Sequence, residues 1–136
     1  TDNEIQNNIG ISINLIFSKY GEKYFRELEE NVCLKLLEKK DCVISLGGGS
    51  ISNSKIRKAI KENSHSIYLK VSIDSLALRL ANSRKRPLLK NVDKKQKLQE
   101  LFNNRKIFYN KADLIVDNNF DKKEVISEIT SKIKAK

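Results

Sequence analysis

Three of the chain's five glycines stand together, Gly47-Gly48-Gly49, directly after the apolar run Val43-Ile44-Ser45-Leu46. Glycine loses more backbone freedom on folding than any other residue, so three in a row call for a positive φ or for close approach of the backbone to a ligand. The apolar run before them predicts a strand over 42–46, continuous in apolar character as buried parallel strands are. In open α/β sheets ligands gather beyond the carboxyl ends of the strands, which is where this loop falls. A plain flexible turn is the alternative reading.

The remaining pattern alternates. Ser12 caps a short helix with Ile13, Ile16, Phe17 and Tyr20 on one face, stopped by Gly21. A longer helix follows, with Phe25, Leu28, Val32 and Leu36 at helical spacing. Helices are predicted over 54–62, with Ile56, Ala59 and Ile60 inward, and over 74–82. A further helix over 94–110 carries Leu98, Leu101, Phe102, Phe108 and Tyr109 on one stripe. Strands are predicted over 66–71 and 113–117. A last helix opens with Asp121 and Glu124 at capping-box spacing and buries Val125, Ile129 and Ile133. Strands alternating with helices imply an α/β domain, a parallel sheet with helices on both faces. With no internal repeat or Pro/Gly-rich linker, residues 1–136 read as one domain.

Charge and cysteine usage narrow the function classes. The formal charge of +10 suits anionic partners. No block of five like charges and no aromatic interleaving supports nucleic-acid binding, which stays a minor alternative. No apolar run approaches the length of a membrane span, and the opening residues carry no secretory pattern. Cys33 and Cys42 read as reduced core thiols of a cytoplasmic protein. His65 is the only histidine, which leaves no Ser-His-Asp triad and no histidine-rich metal site, and it reads as a surface residue before a strand.

Several side chains are placed for chemistry. Arg105 falls on the apolar stripe of its helix, where a guanidinium must find an anion or reach solvent. It is either a structural ion pair or snorkelling stem or a grip on a ligand carboxylate or phosphate. Arg26 and Glu29 lie three apart beside an apolar face, either as a surface salt bridge or as a ligand-binding arginine with its orienting carboxylate. Residues 83–93 read as an exposed loop in which Leu88-Leu89 follow the basic cluster Arg84-Lys85-Arg86-Pro87. Leucines beside arginine suit a lid that excludes water while the charge meets an anion. Arg79, on the preceding helix, can lie flat on a base or be an ordinary exposed arginine.

Taken in order, these motifs resemble shikimate kinase over nearly the whole chain. They are Asp2 with Ile5, the Gly10-Ile-Ser-Ile stretch leading to Ile16-Phe17, Gly21-Glu22 with Phe25-Arg26 and Glu29, and Ser45-Leu-Gly-Gly-Gly-Ser50. Lys85-Arg86-Pro87-Leu88-Leu89, Arg105 with Tyr109, and Ala112-Asp113 complete the set. The resemblance implies a P-loop kinase-like fold of the nucleoside monophosphate kinase type. It implies ATP and Mg²⁺ as cofactors, shikimate as substrate, and a monomer without nucleic-acid or membrane partners. Asp2 would bind a shikimate hydroxyl and help activate the 3-hydroxyl that attacks ATP. Arg26 and Arg105 would grip the shikimate carboxylate, with Glu29 supporting Arg26. Gly47, Gly48 and Gly49 would offer backbone to the substrate, and Phe17 and Phe25 would wall its pocket. Arg86 in the lid would meet the transferring phosphate, Arg79 would pack on adenine, and Ser45 would lie near the magnesium shell.

The family's glycine-rich phosphate loop, Gly-x-x-x-x-Gly-Lys-Ser/Thr, does not occur in these 136 residues. The expectation is therefore a fragment that lacks the first strand of the sheet and would turn over negligibly by itself. Gln6 stands where the family usually has glutamate. A gluconate kinase-like enzyme and a catalytically inactive binding module are the competing readings.

Overall fold

The computed structural model describes residues 1–81 and 93–135. These fall into two compact units, one spanning Thr1–His65 and the other beginning at Ser66.

The first unit is helical around the glycine segment. Helix α1 (Asp2–Ile9) carries Asp2 and Glu4 in its first turn, where a helix favours negative charge, and closes on Gly10 in the left-handed conformation (φ 80°). The sequence reading did not anticipate it, since only Ile5 and Ile9 mark its inner face. Helix α2 (Ile13–Leu37) starts as predicted, with the Ser12 hydroxyl accepting from the Leu15 N–H. The Gln6 side-chain oxygen accepts from the Ile13 N–H at 2.9 Å, so the amide at this position supplies an acceptor to the helix start. Gly21 interrupts α2 at φ 83°, ψ 172°, at the predicted break.

Two apolar clusters hold this unit. Ile5, Ile16, Phe25 and Val32 form one, with Phe17 and Leu28 against it. Cys33, Leu37, Ile56 and Ile60 form the other, joining α2 to α3 (Ser54–Asn63), with Ile44 and Leu46 packed on it. Tyr20, expected inward with Ile16, is instead exposed. It lies beside Tyr24 (centroids 4.9 Å apart), with the Lys19 ammonium over its ring, on a side of the helix left uncovered among the described residues.

The strand expected over 42–46 does not form. Ladder hydrogen bonds need a neighbouring strand, and among the described residues none pairs with this segment. Its side chains still alternate: Ile44 and Leu46 face the second cluster, while Val43 is 100% exposed and Ser45 is exposed. One face is therefore covered, not two. Cys42 is exposed as well, contrary to the core reading, and only Cys33 is a buried thiol.

The second unit is built on a parallel pair, β1 (Ile67–Lys70) and β2 (Leu114–Asp117), in register Ile67↔Leu114 to Lys70↔Asp117. A reciprocal lock sets that register. The Asp113 carboxylate accepts from the Ser66 N–H and hydroxyl (2.8 and 2.6 Å), and the Ser66 hydroxyl accepts from the Asp113 N–H (3.1 Å). Helices α4 (Ile73–Leu80), α5 (Lys94–Tyr109) and α6 (Lys122–Lys134) complete the unit, capped by Ser72, Asp93 and Asp121, with α4 packed on α5 and α6 on β2. Tyr109 stacks on Tyr68, centroids 5.0 Å apart. Val125 of α6 is buried, but Ile133, expected inward, is exposed in the last turn of the helix. His65 is exposed, as expected.

The buried Cys33 has a consequence with pH. Burial is the main cause raising its thiol from 9.0 to about 11, against a small opposing effect of the contact with the Ser50 hydroxyl. The unfolded chain thus loses this proton first. Its contribution to stability is complete below about pH 9 and is lost as the pH rises towards 11. Urea unfolding between these pH values should show a steeper loss for the wild type than for Cys33→Ala. A thiol reagent should label Cys42 in the folded protein and Cys33 only on unfolding.

Candidate active site

A carboxylate in the first unit stands out by its burial. Glu29, 2% exposed, lies on the inward side of α2. A buried charge of this kind is retained only with a well-placed partner. Arg26, one turn earlier on the helix, donates from Nη1 to Glu29 Oε1 at 2.6 Å. Its other terminal nitrogen donates to the exposed Glu22 at 3.3 Å, and its guanidinium carbon lies 5.2 Å from the centre of the Phe25 ring. The side chain keeps 29% of its surface, so the guanidinium is oriented from behind and open in front. Of the two readings of the 26/29 pair, the surface salt bridge is therefore wrong in burial. Glu22 is the partner that sequence reasoning left without a role, although its i,i+4 spacing to Arg26 was visible.

The glycine segment closes on this pair. A methyl group on Gly49 would lie 2.5 Å from Arg26 Nη1 and 2.6 Å from Nη2, and no side chain fits there unless the guanidinium moves. A methyl on Gly47 would lie 3.0 Å from Glu29 Oε2 and 3.8 Å from Asp2 Oδ1. Neither glycine needs a positive φ; those angles occur at Gly10 and Gly21. The glycines are there for close approach. After them the chain turns through a short 3₁₀ helix, Ser50–Ser52, whose Ser50 is fully buried behind the site.

Asp2, Arg26, Glu29, Gly47 and Gly49 thus converge within one unit, with Gly48 exposed between the two buttressed glycines. Phe25 is buried and Phe17 half-buried, their ring centres 4.7 Å apart beside Arg26. Ser45 precedes the glycines, its carbonyl accepting from the Thr1 nitrogen at 3.0 Å. Among the described residues no three His, Cys, Asp or Glu side chains are grouped so as to hold a metal ion.

Arg79 and Arg105 belong to the second unit. Arg79 donates to the Asn118 carbonyl at 2.8 Å, across the end of β2. Arg105 is half-buried on the inner stripe of α5, and among the described residues no carboxylate pairs with it. Arg86 and the basic-leucine segment lie outside the described residues, as does the predicted lid apart from Asp93, which caps α5.

The shikimate kinase family model matches residues 1–134. The chain belongs to the shikimate kinase family. It is 35% identical over 128 residues to a shikimate kinase of Bartonella henselae, covering 94% of this chain and 61% of the relative. It is 37% identical to one of Mesorhizobium japonicum, covering 93% of this chain and 63% of that relative. The chain thus spans about three fifths of the length of these two relatives. A solved shikimate kinase from Acinetobacter baumannii, in complex with shikimate, superposes with a TM-score of 0.95 at 29% identity, covering 98% of this chain and 76% of that one. The α/β class and the shikimate kinase fold read from the sequence are therefore correct.

The two carboxylates on Arg26 should differ in weight. Glu29→Ala should destabilise the protein by about 1–3 kcal/mol, because a buried charged hydrogen bond is lost. Glu22→Ala should cost about 0.5 kcal/mol or less, as exposed pairs do. Urea unfolding of the two variants checks the ranking.

Proposed function

We propose that this chain is the acceptor-binding part of an enzyme that transfers the γ-phosphoryl group of ATP to the 3-hydroxyl of shikimate, a step towards chorismate and the aromatic amino acids. The observation that carries the reading is the convergence of Asp2, Arg26 and Glu29 on the triple glycine. A hydroxylated ring carboxylate needs a fixed guanidinium for its carboxylate, an acceptor for its hydroxyls and bare backbone against its ring. Membership of the family, and the shikimate bound to the Acinetobacter baumannii neighbour, support the choice of acceptor.

In this reading the substrate carboxylate meets Arg26 in bidentate fashion. Glu29 holds the guanidinium from behind, so little orientation is lost on binding. Arg105 is the second cation, and its half-buried place without a carboxylate partner among the described residues favours a ligand anion over a structural pair. Phe17 and Phe25 wall the ring. Asp2 accepts a hydrogen bond from the attacking hydroxyl and takes its proton as the oxygen bonds to the γ-phosphorus and ADP leaves. Phosphoryl transfer depends on such positioning and on charge neutralisation more than on covalent chemistry.

Mg²⁺ would come with ATP and would supply neutralisation of the charge on its phosphates. Ser45 is the residue of this chain proposed near the Mg²⁺ shell. Arg79 is proposed to pack on adenine and Arg86 to meet the transferring phosphate. The glycine-lysine phosphate loop does not occur in these 136 residues, which favours a second reading of them, a shikimate-binding module without turnover of its own. A monomer in the cytoplasm is the proposed setting.

A coupled ADP-release assay with shikimate, run on these 136 residues and on the protein with its upstream sequence, tests both readings. Turnover is expected only with the upstream sequence, and shikimate-dependent release by the 136 residues alone would remove the module reading. Arg105→Ala should raise the shikimate KM by the equivalent of about 2–5 kcal/mol of lost charged contact. Unchanged kinetics with lowered stability would return Arg105 to a structural role. Arg86→Ala should lower kcat more than it weakens shikimate binding, and the reverse outcome would take Arg86 away from the phosphate.

A further inference from the structure

Glu29 and Glu30 are consecutive on α2, so their side chains leave the helix about 100° apart. Both nevertheless serve the glycine segment, at opposite ends. Glu29 stands against Gly47. Glu30 reaches the far end, where its Oε2 accepts from Asn53 Nδ2 at 2.6 Å and its Oε1 from Lys55 Nζ at 2.7 Å. The Asn53 side-chain oxygen meanwhile accepts from the N–H groups of Lys55 and Ile56 (2.8 and 3.2 Å), so one amide caps α3 and ties its start to α2.

Between these ends the backbone is knitted to itself. Ser50 N–H donates to the Gly47 carbonyl, Ser52 N–H to that of Gly49, and Asn53 N–H to that of Ser50, at 3.0, 3.0 and 3.1 Å. Arg57, from α3, donates to the Ile51 and Ser52 carbonyls at 2.9 and 2.8 Å. Residues 47–53 therefore behave as one piece, and whatever fixes Asn53 fixes Gly49. The tolerance is small, since Gly49 lies within a methyl group's width of the Arg26 guanidinium.

We propose that Glu30 and Asn53 are positioning residues for the acceptor substrate, holding the far end of the glycine segment so that Gly49 stays flat against Arg26. This rests on the reading of the site as a shikimate pocket. Neither residue takes part in the Asp2–Arg26–Glu29 cluster. The bond from Asn53 to Glu30 carries the effect, because it is charge-assisted and partly buried. Lys55, whose side chain is largely in water, adds little.

Glu30→Ala and Glu30→Gln, made in the full-length protein, test the proposal with two readouts. One is hydrogen exchange at the Ser50, Ser52 and Asn53 amides without ligand. The other is the KM for shikimate and for ATP. With Ala, exchange and the shikimate KM should each rise about tenfold, the scale of one lost charged hydrogen bond, with the ATP KM unchanged. Gln keeps an oxygen that accepts from Asn53 Nδ2 but not the charge, and should restore each in part, to values between wild type and Ala. Unchanged exchange in Glu30→Ala would overturn the pin itself. Faster exchange with an unchanged shikimate KM would make the bond merely structural and overturn the positioning role. A wild-type protein that does not phosphorylate shikimate would sink the proposed function and the substrate half of this inference, while exchange would still report on the pin.

Discussion

The desolvated Glu29 carboxylate is the constraint on which the site depends. A charge withdrawn from water is tolerable only where its partners are already in place. Arg26 answers that requirement, and in doing so gives up the freedom of a long side chain. The glycines can then approach it as closely as they do, because the guanidinium they face is held. The cluster is thus assembled from the inside outwards: a buried carboxylate fixes a guanidinium, and bare backbone closes on the guanidinium.

The second unit solves its own problem of definition differently. Two parallel strands of four residues have few ladder bonds with which to resist slipping. Ser66 and Asp113 exchange hydrogen bonds at the head of the pair, and Tyr109 stacks on Tyr68 within it. Arg105 sits one turn before Tyr109 on α5, so the lock that sets the register also sets the helix that carries this arginine.

Much of this was legible in sequence, for identifiable reasons. Helix starts were readable where an apolar stripe followed a capping residue, as at Ser12 and Asp121, and Gly21 was readable as a stop. Arg105 declared itself by standing on an apolar stripe. Helix α1 was hidden because its sequence is mostly polar, with two isoleucines for an inner face. The run over 42–46 has strand composition, but a strand exists only with a neighbour, and composition does not supply one. The burial of Glu29 was beyond local reading as well. It depends on a glycine segment about twenty residues away, and an i,i+3 pair looks the same whether water or backbone covers it. The glycines read as backbone left bare for a ligand, and what lies against them in the structure, a guanidinium and a carboxylate from their own chain, was not legible.

The break at Gly21 acts well beyond the turn in which it occurs. Phe17 and Phe25 are eight residues apart, and an uninterrupted α-helix would separate them by about 12 Å along its axis. Their rings are instead 4.7 Å apart. The kink between the two halves of α2 at one glycine makes residues from different turns neighbours, and the second ring stands beside Arg26. The pairing of the two aromatic rings is therefore a product of one glycine's backbone freedom. A residue that accepts φ 83° kinks the helix there, and a feature that sequence reading treats as punctuation sets which aromatic rings meet.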